Sequence, residues 1–128
     1  MYIWFIKIYK YKIIYIFVMI KLVEDIDELR VKMANTIIYS NLMVIDCYTD
    51  FCKPCKKLEP IYEEIAKEME DVSFYKANMS DSDDIVDFFD IRKLPTIKII
   101  KGGDVVDTFT GLKDKDYIVD MINKYKKN

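Results

Sequence analysis

Histidine is absent from this chain of 128 residues. That removes Ser-His and Cys-His catalysis, and with them every zinc site that needs imidazole. Cysteine is scarce and odd in number, with Cys47, Cys52 and Cys55 only, so a secreted disulfide framework is not expected. Zinc on the three thiols would need a carboxylate as fourth ligand, and we expect no metal. An excess of charge of one sign is lacking too: the net charge is −2, which gives no support to a nucleic-acid surface. With three glycines and three prolines, the chain has no low-complexity linker, and no internal repeat is visible. Long apolar runs are missing from the N-terminal segment, whose longest uncharged stretch, Ile13 to Ile20, stops at Lys21. A membrane span needs about 20 apolar residues, so a membrane association is not expected.

What is present reads as one globular domain, 52% hydrophobic and 33% charged. Residues 1–18 stand apart, with Lys7, Lys10 and Lys12 and no acid, which leaves −5 on the remainder. A signal peptide would require a small-residue cleavage site, and Leu22-Val23-Glu24 is a poor one. We therefore read 1–18 as a hydrophobic, basic extension or an overrun ahead of a start at Met19, with a retained leader or anchor as the alternative. Residues 19–128 form the domain. Mass spectrometry of the native protein distinguishes Met1 from Met19.

From Met19 the periodicities alternate. Met19 to Val23 reads as a short strand. Asp25 with Glu28 resembles a capping box, and Ile26, Leu29 and Met33 follow helical spacing to about Asn35. Leu42 to Tyr48 is nearly continuous and apolar, the pattern of a strand buried on both faces. A helix follows with Leu58, Ile61, Tyr62, Ile65 and Met69 inward, and Pro60 is expected to kink it. Val72 to Ala77 is the next strand, and Ser80 to Asp84 opens a short helix carrying Ile85, Phe88 and Phe89. Thr96 to Ile100 and Val105 to Phe109 make a hairpin through Gly102-Gly103. Lys113-Asp114 opens a last helix with Ile118, Met121, Ile122 and Tyr125 inward. The order is βαβαβαββα.

The chemistry centres on Cys52-Lys53-Pro54-Cys55, at a strand-to-helix junction. Two thiols so spaced are close enough to close a disulfide, and the unpaired N–H groups of a helix start favour a thiolate on the first. By itself the spacing also suits zinc or an iron–sulfur cluster. Its surroundings are more specific. Asp46 lies six residues earlier in the buried strand, Phe51 precedes the first thiol, and Pro60 and Lys76 follow. Leu94-Pro95-Thr96, Lys101-Gly102-Gly103-Asp104 and Gly111 complete the set. Across Met19 to about Lys126 these residues resemble the thioredoxin family. The match implies an α/β thioredoxin fold, a central mixed β-sheet flanked by helices on both faces. The chain departs from the family pattern at Phe51 and Tyr48, where tryptophans are usual, at Lys53 in place of glycine, and at Cys47 in place of an aromatic. These changes bear on partner choice and redox potential.

The resemblance implies a thiol-disulfide oxidoreductase that reduces protein disulfides by dithiol exchange. Its cofactor-free chemistry would reside in the Cys52–Cys55 pair. Cys52 is the expected nucleophile, because a free thiol with a pKa of about 8.5 is mostly protonated at neutrality and the helix start, with the Lys53 ammonium, favours the anion. Cys55 resolves the mixed disulfide. Asp46, desolvated in its strand, takes the Cys55 proton, and Lys76 is its electrostatic partner. Pro95 is expected to be cis. The backbone of Leu94 would then pair with an incoming peptide, with Phe51, Pro54, Thr96 and Gly111 around the same groove. Cys47 falls on the other strand face and reads as core. Expected partners are disulfide-bearing proteins and a separate recharging reductase, around a monomeric, cytoplasmic protein. Two rivals are a net oxidant or isomerase and a non-catalytic docking module. Lys53 pushes toward the oxidant by roughly 10–20 mV, too little to convert a reductase.

Overall fold

Apolar periodicity sets the order of elements in the structure, a computed structural model that describes residues 19–126. The expectations for residues 1–18 lie outside the described residues. Strand β1 (Ile20–Leu22) is followed by α1 (Ile26–Ile38), β2 (Leu42–Tyr48), α2 (Lys53–Glu68) and β3 (Val72–Asn78). Then come α3 (Asp83–Phe89), β4 (Thr96–Lys101), β5 (Asp104–Thr110) and α4 (Lys115–Lys126). The strands make one sheet in the order β1-β3-β2-β4-β5, with β1, β3 and β2 parallel, β4 antiparallel to β2, and β5 antiparallel to β4.

Strand β2 lies at the centre because both of its faces are apolar. Leu42 and Val44 pack with Leu58, Tyr62 and Ile65 of α2 and with Ile118 and Ile122 of α4. Met43, Ile45 and Cys47 pack on the other side with Leu29 and Met33 of α1 and Ile85 and Phe89 of α3. Helices therefore cover both faces of a mixed sheet. Among the described residues, no helix is long and apolar enough to cross a membrane.

Asp25 caps α1 through its side chain, which accepts from the Glu28 N–H at 2.8 Å, while Glu28 reaches back to the Glu24 N–H rather than to that of Asp25. Asp25→Ala should therefore destabilise the protein by about 1 kcal/mol, read as a lower urea midpoint at unchanged slope. The helix runs three residues past its expected end at Asn35. Thr36 explains this: its hydroxyl donates to the Met33 carbonyl at 2.6 Å and accepts the Gly103 N–H at 2.8 Å, tying the last turn to the hairpin. Gly103 adopts φ +83°, and a Cβ there would stand 2.8 Å from Ile37 Cδ1. In α3, Ile85 and Phe89 point inward, whereas Phe88 is 45% exposed. Two residues four apart use up the inner face of so short a helix, and Phe88 instead lies against Phe89 and beneath the Arg30 guanidinium. Met121 and Tyr125 of α4 are only partly buried.

Candidate active site

Strand β2 ends at Tyr48, and a three-residue connection delivers Cys52 to the N-cap of α2. Its extended backbone, with φ −88° and ψ 110°, ends the strand-like path and lets the helix begin at Lys53. Pro54 sits in the first turn, where its missing N–H has no helical acceptor in any case. Cys52 and Cys55 are joined in a disulfide with their Cα atoms 5.2 Å apart. The Cys55 N–H points at the Cys52 sulfur at 3.2 Å. That N–H is one of the unpaired donors of a helix start, so it stands ready for an anionic sulfur when the pair is reduced. Cys52 is partly accessible, whereas Cys55 is only 4% exposed. Phe51, just before the pair, is 92% exposed, and Lys53 and Pro54 are exposed beside it.

Tyr62 fixes the height of α2 on the sheet. Its hydroxyl lies within hydrogen-bond distance of the carbonyls of Val44 and Tyr75, and its ring meets Phe74 edge-on. Cys55 is seven residues before Tyr62, so it lies on the same helix face about 10 Å toward the helix start. Asp46 is two residues past Val44 on the same strand face, about 7 Å further along β2. Because α2 runs back over the strand it follows, these displacements bring Cys55 above Asp46.

Asp46 is 6% exposed, and its Oδ1 has no hydrogen-bond partner. Burial drives its pKa up to about 7, with Lys76 pulling it down and Glu59 adding to the rise. Lys76 is its register partner on β3, so both side chains leave the same face, and Ile97 faces it from β4. A cavity of about 150 Å³ is lined by Asp46, Cys55, Lys56, Glu59 and Lys76, with Tyr48, Thr49 and Asp50 at the end of β2 and the connection after it. It joins the carboxylate to the buried thiol, and its polar lining suits a bridging water. Cys47 is fully buried on the opposite face, its thiol pushed up to about 12 by burial and by Asp46.

The Leu94–Pro95 bond is cis. Thr96 pairs with Cys47 across β2 and β4 and with Thr110 across β4 and β5, so the loop before β4 meets the thiol end of the sheet. Gly111, with φ +84°, donates its N–H to the Pro95 carbonyl at 2.9 Å, which ties the segment after β5 to the same loop. Leu94 is half-buried, and Pro95 is buried. Thr96 is 3% exposed, its hydroxyl turned back to the Lys93 carbonyl, so only its backbone serves that edge. Sequence reasoning missed Glu59 and Lys56 as lining groups. The signal was there for Glu59: four residues after Cys55 is one helical turn along the same face.

A vicinal pair that passes between two thiols and a disulfide, with one sulfur open to solvent, trades electrons with other disulfides. The chain is a dithiol–disulfide oxidoreductase. Residues 25–124 match the Thioredoxin family model. The chain is 39% identical over 92 residues to a thioredoxin of Rickettsia prowazekii (strain Madrid E), covering 70% of this chain and 88% of that one. It is 34% identical over 105 residues to a thioredoxin of Rickettsia typhi (strain ATCC VR-144 / Wilmington), covering 80% and 98%. A solved structure of Plasmodium falciparum thioredoxin superposes with a TM-score of 0.74 at 28% identity, covering 82% of this chain and 98% of that one. The chain belongs to the thioredoxin family and has the thioredoxin fold. Its activity is protein-disulfide reduction, carried by its own cysteine pair with disulfide-bearing proteins as substrates and a reductase to recharge it.

Proposed function

We propose that Cys52 and Cys55 act in fixed order, with Asp46 as the proton acceptor of the second step. The Cys52 thiolate attacks a substrate disulfide, forming a mixed disulfide and releasing one substrate sulfur as a thiolate. Cys55 then loses its proton to Asp46, directly or through the cavity, and attacks the Cys52 sulfur. The mixed bond breaks, the second substrate sulfur leaves, and the Cys52–Cys55 disulfide remains. Lys76 holds Asp46 in a state that can accept the proton. Phe51, Lys53 and Pro54 meet the substrate on one side, and the backbones of Leu94 and Thr96, with Pro95 and Gly111, meet it on the other.

The observation that carries this reading is the unequal exposure of the two sulfurs, with an unpartnered carboxylate in the cavity behind the buried one. Cys55→Ser tests it. Without a resolving thiol, Cys52 should still attack and then stall, so the variant should accumulate a mixed disulfide with a protein substrate that dithiothreitol releases. Mass spectrometry that finds the adduct on any other residue, or no adduct, removes the assignment. The protein is further read as a cytoplasmic monomer, supported by an odd cysteine count unlike that of secreted frameworks. Size-exclusion chromatography with light scattering checks the monomer, and cell fractionation checks the compartment.

A further inference from the structure

Three carboxylates line the cavity behind Cys55, of which Asp50 accepts from the Asn78 side-chain amide at 3.3 Å. Asp46 is buried at its floor, with Oδ1 unpartnered, whereas Glu59 is exposed at its mouth. Glu59 is one helical turn beyond Cys55, so α2 presents the resolving sulfur and this carboxylate to the same space. Glu59 makes no ion pair among the described residues, whereas Glu64 and Glu68 on the same helix are both held by Lys115. Its charge is therefore not neutralised by a direct contact before it reaches the cavity.

We propose that Glu59 is a positioning residue for the resolving step, its carboxylate acting across the cavity against Lys76 to decide when Asp46 is free to take the Cys55 proton. This rests on the reading of Asp46 as proton acceptor and deepens it. Facing Asp46, helix α2 offers Cys55, Lys56, Glu59 and Tyr62, while β3 offers Lys76. Tyr48 and Asp50 come from the end of β2 and the connection after it, and β4 contributes only the apolar Ile97. Of these, Lys76 draws the Asp46 proton off and Glu59 retains it. Lys56 stands three residues before Glu59 on the same rim and remains when Glu59 is changed. The proton balance is simple. The Cys55 proton passes to Asp46, and the electron pair left on sulfur forms the new S–S bond as the old one breaks. A negative neighbour makes Asp46 a stronger base but keeps it protonated to a higher pH.

The test is the pH profile of the resolving step alone. Reduced protein is mixed with dithiobis-nitrobenzoate in a stopped-flow instrument, and the slower, second release of thionitrobenzoate is followed from about pH 5 to about pH 9. In Glu59→Gln the midpoint of the profile should move down by about half a unit, making the step about threefold faster near pH 6. It should be equal or slower near pH 8, because the base is then weaker. High salt should shrink the shift between parent and variant. In Asp46→Asn the midpoint near pH 7 should vanish, leaving only the rise at higher pH as Cys55 ionises to solvent, and adding Glu59→Gln to that variant should change nothing further near pH 7. A midpoint unmoved by Glu59→Gln but abolished by Asp46→Asn overturns this inference and leaves the Asp46 reading intact. A midpoint near pH 7 that survives Asp46→Asn overturns both.

Discussion

Cys52→Ser is expected to bring insulin disulfide reduction, followed with dithiothreitol as electron source, down to the rate of dithiothreitol alone. The loss should be complete because no other sulfur can stand in. Cys55 is 4% exposed under the first turn of α2, and Cys47 is fully buried on the far face of the sheet. Burial and Asp46 hold the Cys47 thiol at about 12, so at neutral pH it is almost never the anion that attacks. Serine at position 52 would keep the helix cap, since its oxygen can accept the same Cys55 N–H, and the fold should survive. Unchanged circular dichroism with no activity is therefore the expected pair of results. Full activity in this variant would end the assignment of Cys52 as nucleophile.

Asp46→Asn is expected to make the protein more stable near pH 8 and less active at the same time. In the fold, Asp46 titrates at about 7 because burial penalises its charge, whereas in the unfolded chain a carboxyl titrates near 3.9. Below about pH 4 both states hold the proton and nothing is lost. Between about pH 4 and about pH 7 the unfolded state has released it and the folded state has not, so stability falls as pH rises. Above the folded value the loss is complete, about 4 kcal/mol for a difference of some three units. Asparagine removes the charge but leaves an amide with few partners, which costs about 1–3 kcal/mol. The net effect should be a gain of about 1–3 kcal/mol near pH 8 and a loss of up to about 1–3 kcal/mol near pH 4, measured by urea unfolding at both. The resolving step near pH 7 should slow at least tenfold, at the low end of what a positioned base contributes. A variant destabilised equally at both pH values would show that the carboxylate is not held as described.

Much of this architecture was legible in the residues. The run from Leu42 to Tyr48 read as a strand covered on both faces, and it is one. Asp25 announced the start of α1, and Gly102-Gly103 the hairpin turn. One miss has a long-range cause. The extra turn of α1 depends on Thr36 meeting Gly103, a partner 67 residues away.

Spacing within the chain placed the two thiols within reach of one another. Two thiols three positions apart at a strand-to-helix junction will meet at a helix start, because the rise of one turn and the unpaired N–H groups there are local properties. Local patterning likewise set which side chains are apolar on which face. The proton chemistry was decided only by tertiary structure. Asp46 has an unusual carboxyl because α2, pinned by Tyr62, lies over it and removes its water, while the β2–β3 register brings Lys76 alongside. Glu59 enters the same cavity from one turn beyond Cys55. Desolvation depends on what packs above a group, and in this protein the atoms that pack above Asp46 arrive from elements that its sequence neighbours do not specify.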